Sequence, residues 1–129
     1  MTDSNDDLWP DLTGEPTVKA PLLILREQAA KLGAKTSNLI EAEVTAYPTP
    51  DGQLSIRFIL KAPALNGYEY VLLTIRQPVD LYPVSLTEDF FGDTVKNEQE
   101  FKHFLGELFK SDRTVQIISS LIAQSKHAA

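Results

Sequence analysis

The sequence predicts an α+β domain in the order α-β-β-β-β-α-α, built on a four-stranded antiparallel meander. Three observations predict it. Between residues 38 and 87, apolar residues alternate with period two in four runs. Apolar residues recur at helical spacing before that stretch and again, twice, after it. The strand-like runs are joined by short turn signals, and short connections make consecutive strands antiparallel neighbours.

The 129 residues suit one domain with a buried core. Residues 1–18 are set apart by charge. They hold Asp3, Asp6, Asp7, Asp11 and Glu15 and no Lys or Arg, so they carry most of the net charge of −6. Pro10, Gly14 and Pro16 break any periodicity there. We therefore expect an acidic flexible arm over residues 1–18 and a single α+β domain over residues 19–129. Trp9, the only tryptophan, lies in the arm beside Leu8 and Leu12. It reads either as a cover for a groove on its own domain or as an anchor for a partner.

The first helix is expected over residues 21–32. Pro21 suits the first helical position, Leu22, Leu25, Ala29 and Leu32 form one stripe, and Gly33 reads as the stop. The four strands are expected at residues 38–47, 54–62, 68–76 and 80–87. Asn66-Gly67 reads as a two-residue hairpin turn, which sets Leu60 opposite Leu73, Phe58 opposite Ile75 and Arg57 opposite Arg76. A turn over residues 77–80 sets Ile75 opposite Tyr82. Around Gly52 a two-residue loop would bury the wrong face, so an odd loop or bulge is expected, with Val44 opposite Leu60. Residues 88–96 read as a loop, with Phe90 and Phe91 either plugging the core edge or forming an exposed patch.

Asn97 opens the second helix with a capping-box-like Asn-x-x-Glu ending at Glu100. Its apolar stripe is Phe101, Phe104, Leu105, Leu108 and Phe109. Ser111 or Asp112 caps a last helix over residues 113–125. Val115, Ile118, Leu121 and Ile122 lie on its apolar side, and Ile117 lies off it.

The chain carries no cysteine, so disulfides, thiolate metal sites and cysteine nucleophiles are excluded. His103 and His127 are too few and too scattered for a histidine metal cluster. Glu88, Asp89 and Asp93 lack the spacing of a calcium loop. No phosphate-binding glycine loop and no Gly-x-Ser-x-Gly elbow occurs. We expect no catalytic, cofactor or metal site. The balanced body argues against nucleic acid, and no apolar run approaches the roughly 20 residues of a membrane span. The N-terminus has no basic or apolar signal region, and a cytoplasmic location is expected.

The remaining signal is a mixed surface. The expected outer sheet face joins Arg57 and Arg76 to Tyr47, Ile59, Tyr70, Leu72 and Leu81. Directly opposed guanidinium groups call for a neutralising group, and apolar residues with arginine are typical of interface cores. The expectation is a non-enzymatic protein-binding module or adaptor, such as an immunity-like inhibitor or a chaperone. It would use this face, the arm with Trp9, and Phe90 and Phe91. The alternatives are a small-ligand-binding domain, with a pocket between helices and sheet near Tyr68, Tyr82 and Phe90, or a structural homodimer subunit.

Overall fold

A computed structural model describes residues 7–14, 17–86 and 94–128. The α+β class and the order of the elements agree with the sequence reading. Helix α1 (Pro21–Lys35) precedes strands β1 (Glu41–Pro48), β2 (Leu54–Ala62), β3 (Tyr68–Gln77), β4 (Val84–Leu86) and β5 (Thr94–Val95). Helices α2 (Glu98–Lys110) and α3 (Asp112–Lys126) close the chain. The strands form one antiparallel sheet in the order β1-β2-β3-β4-β5. The two-residue β5 was read from sequence as loop. It is too short to show a period of its own.

The helices share one face of the sheet. Ile24 and Leu25 from α1, Phe101 and Leu105 from α2 and Leu121 from α3 are buried in one cluster with Ile56, Phe58, Leu60, Leu73, Ile75, Val84 and Leu86. Along α2 the expected stripe is the buried one. Along α3, Leu121 is buried and Ile118 and Ile122 pack on the core as expected, joined by Thr114, Ile117 and Ser125, while Val115 is 50% exposed. The expected helix face is thus right for α2 and, except at Val115 and Ile117, for α3.

Helix α1 runs past Gly33 to Lys35. Its stop is made by Thr36 and Asn38 instead. Asn38 N–H donates to the Gly33 carbonyl at 2.7 Å, with Asn38 at φ 63. The buried Thr36 hydroxyl donates to the carbonyl of Ile40 at 2.9 Å and accepts from Ile40 N–H at 3.1 Å. That clamp leads α1 into β1. Asn97 caps α2 by accepting from Glu100 N–H at 2.9 Å, and Glu100 in turn accepts from Lys96 N–H. Ser111 ends α2 and starts α3 at once: its hydroxyl donates to the Leu108 carbonyl at 2.8 Å and accepts from Thr114 N–H at 3.2 Å.

Three registers differ from the expected ones. In the first hairpin the buried face is as expected, but Val44 pairs with Phe58 and Ala42 with Leu60, two residues from the expected register. Thr49 N–H donates to the Gln53 carbonyl at 2.8 Å, which leaves a three-residue loop with Gly52 at φ 84. This is the odd loop that the alternation required. In the second hairpin Asn66 and Gly67 both take positive φ, yet Pro63–Leu65 form a 3₁₀ turn before them. The connection is therefore longer than two residues. Ala62 pairs with Tyr68 and Leu60 with Tyr70, and a bulge beside Phe58 and Ile59 then sets Phe58 opposite Leu73. In the third, the turn closes from Leu81 N–H to the Pro78 carbonyl at 2.9 Å, and Ile75 pairs with Leu86 rather than Tyr82.

Candidate functional site

The revised registers rearrange the expected outer-face site. Arg57 lies opposite Thr74 and Thr45, and Arg76 lies opposite Ser55, so the two arginines are diagonal neighbours and not an opposed pair. Tyr47 faces Ser55. Arg76 is electrostatically coupled to Asp51 in the hairpin loop, whose carboxyl is held below its ordinary range, first by its hydrogen bond with Thr49 and least by Arg76. The bulge turns the start of β3 over. Tyr70 and Leu72 pack against the core beneath the helices, and the Tyr70 hydroxyl accepts from Arg113 Nη2 of α3 at 3.2 Å. Val71 between them is 43% exposed. Leu81 is outside the strands, half-buried at φ 78.

At one end of that face the charges are locally paired. Lys61 sits 3.1 Å from Glu43 and 3.4 Å from Glu69. The Glu43 hydrogen bond leads the effects that raise its pKa. Ile59 is 7% exposed and lies outside the main core cluster, with Glu43 and Val71 across the ladders. This face is less apolar than the sequence suggested. Phe90 and Phe91 lie outside the described residues.

The stronger concavity is on the other side. A groove of about 790 Å³ opens between α1 and the α2–α3 pair. Phe58, Leu60 and Leu72 make its floor. Ile24 and Leu32 of α1 form one wall, and Leu105, Phe109, Ile118 and Ile122 form the other. The rings of Phe58 and Phe109 lie 5.4 Å apart at 39°, within the favourable range for a tilted aromatic pair. The expected pocket near Tyr68 and Tyr82 is not this one, because neither tyrosine lines it.

The groove's rim is basic. Lys19, Lys31 and Lys35 border it on the α1 side and Lys102 and Lys110 on the α2 side, against one carboxylate, Glu27. Two of these lysines are spoken for: Lys19 pairs with Glu27 at 3.0 Å and Lys102 with Glu98 at 2.8 Å. Among the described residues, no ion pair within 4 Å engages Lys31, Lys35 or Lys110. In the sequence Lys31 lies off the apolar stripe of α1 and reads only as a solvated side chain. Only the fold brings it across from Lys110.

One end of the groove is tied to the arm. Lys19 N–H donates to Glu98 Oε1 at 3.0 Å, and the Tyr82 hydroxyl donates to the Lys19 carbonyl at 3.0 Å. Lys102 and the Lys19 N–H hold the Glu98 carboxyl below its ordinary range. Beyond this anchor the described arm residues, 7–14, 17 and 18, are all exposed. Trp9 is 76% exposed, so the expectation that it covers a groove on its own domain is not met here.

Two hydroxyls border the groove, and both are engaged. Thr36 is used in the α1 clamp, and the Thr114 hydroxyl is hydrogen-bonded with that of Ser111 at 3.1 Å. Among the described residues no group of three or more His, Asp or Glu side chains could hold a metal ion. None of the helices described is long and apolar enough to cross a membrane. No protein-family model matches the chain, and neither curated proteins nor solved structures gave a match.

Proposed function

We propose that this protein is a non-enzymatic binding module that holds an acidic, amphipathic segment of a partner protein in the groove between α1 and α2–α3. One observation carries the reading: a groove whose half-buried Leu32, Leu72, Phe109, Ile118 and Ile122 remain partly accessible opens between two rows of lysines. Leucine or aromatic anchors of a bound segment would bury against Leu72, Phe109 and Ile122, and its carboxylates would meet the ammonium groups at the rim. Apolar anchors supply affinity and rim charges supply orientation and encounter rate. The engaged hydroxyls support binding over nucleophilic chemistry. The groove replaces the outer sheet face as the preferred surface, because the opposed arginine pair on which that face was argued is not formed.

A volume of about 790 Å³ also lies within the roughly 300–1,000 Å³ of small-molecule sites. The test therefore includes a fatty acid. Fluorescence anisotropy would follow labelled eight-residue peptides with two leucines, one tryptophan and three aspartates, and counterparts with lysine for aspartate. Laurate would serve as a competitor. The expected result is binding of the acidic peptides only, weakened about ten-fold or more by Lys31→Glu with Lys110→Glu. Arg57→Glu and Arg76→Glu should leave it unchanged. Equal binding of acidic and basic peptides, or binding of laurate alone, would overturn the proposal.

A further inference from the structure

We infer that the groove's own occupant is the segment of residues 7–12 from a second copy of this chain. The inference rests on the groove being the binding surface proposed above.

The segment Asp7-Leu8-Trp9-Pro10-Asp11-Leu12 has the chemistry the groove selects, with acids interleaved among large apolar side chains. Among the described residues, nothing covers those side chains. Leu8 is 91% exposed, Trp9 76% and Leu12 70%. Isolated exposed apolar residues are ordinary, but three within five residues form a cluster that association would bury.

The segment is also pre-shaped. Asp7 accepts from Trp9 N–H at 3.1 Å, and Asp11 accepts from Thr13 N–H at 3.0 Å and from the Thr13 hydroxyl at 2.7 Å. Pro10 restricts the turn between them. A segment that already holds its shape loses less freedom on docking. Charge matches as well. Residues 1–18 carry five acids and no base, and Lys31, Lys35 and Lys110 line the groove with no described ion pair. Lys19, where the arm leaves the body, stands at the rim of the groove. Two copies can therefore exchange arms reciprocally, and a two-fold pair makes the same contact twice.

Trp9 is the only tryptophan, so its emission reports the arm directly. The experiment uses the full chain, with emission, acrylamide quenching and light-scattering mass followed from nanomolar to high micromolar concentration. A blue shift and protection from acrylamide should appear together with doubling of the mass. Lys31→Glu with Lys110→Glu should keep Trp9 solvent-like and weaken association about ten-fold or more. Trp9→Ala should likewise fail to self-associate. Mixed with the rim variant it should recover a heterodimer, because one intact arm then meets one intact groove. Circular dichroism should show both variants folded, since all three positions are exposed.

Three results would overturn the inference: Trp9 solvent-like at every concentration, Trp9 protected independently of concentration because the arm enters its own groove, or dimers that ignore both variants. If acidic peptides still bind while Trp9 stays exposed, this inference falls and the proposed function stands. If neither occurs, both fall.

Discussion

The Tyr82 hydroxyl shows how one side chain ties the arm to the fold and makes that tie sensitive to pH. Burial first, and the charge of Glu98 second, push its pKa up to about 12. The folded protein thus holds this proton more tightly than the unfolded chain, where tyrosine titrates near 10. The resulting stability is complete below about pH 10 and is lost as pH rises towards about 12. Denaturant midpoints across that range should fall more steeply for the native chain than for Tyr82→Phe. Parallel curves would remove the role assigned to Tyr82. From sequence, Tyr82 was placed inside a strand opposite Ile75. The error has a local origin in Leu81. A positive φ is signalled by Gly or Asn, as at Gly52, Gly67, Asn38 and Asn66, whereas leucine gives no such signal.

Among the elements, the identity of each helix and of the four main strands was legible because periodicity survives in a single chain. The pairing was less so, because it depends on residues that terminate elements. Asn66-Gly67 does supply the left-handed pair, but Pro63 starts a 3₁₀ turn that lengthens the connection. The bulge at Leu72 then restores the far half of the hairpin to its expected face while leaving Tyr70 turned towards α3. Nothing in the alternation of Val71, Leu72 and Leu73 announces it. Thr36 is a second quiet residue. In sequence it is one residue of a connection, yet it satisfies both backbone groups of the fully buried Ile40. Thr36→Val keeps the shape and orphans that pair. It should cost about 1–3 kcal/mol, read as a lower midpoint in urea with an unchanged slope. A change within experimental error would show that Ile40 finds other partners.

Across the whole molecule, the groove was the least legible feature. Lys31 and Lys110 are 79 positions apart in the chain and each reads as the solvated side of its own helix. Their shared role arises only when α1 and α2 pack on one sheet face. Since the proposed contact pairs charges at an exposed rim, it should respond to salt differently from the core. Raising ionic strength from about 0.15 to 1 M shortens the screening length from about 8 to 3 Å. It should weaken peptide or arm binding several-fold, whereas the folded body should change its midpoint little. Binding that is indifferent to salt would point to the apolar floor alone. The geometry also constrains how such a groove adapts to what enters it. Because Ser111 serves as the end of α2 and the beginning of α3, those helices meet at a corner with no slack residue between them. They form a bracket whose arms move together. Helix α1 instead meets the rest of the chain through Ala20 at one end and the Ser37–Asn38 turn at the other. Pro21, Ile24 and Leu25 seat its first turns in the shared core, so the width of the groove is fixed by how α1 and the bracket rest on one floor.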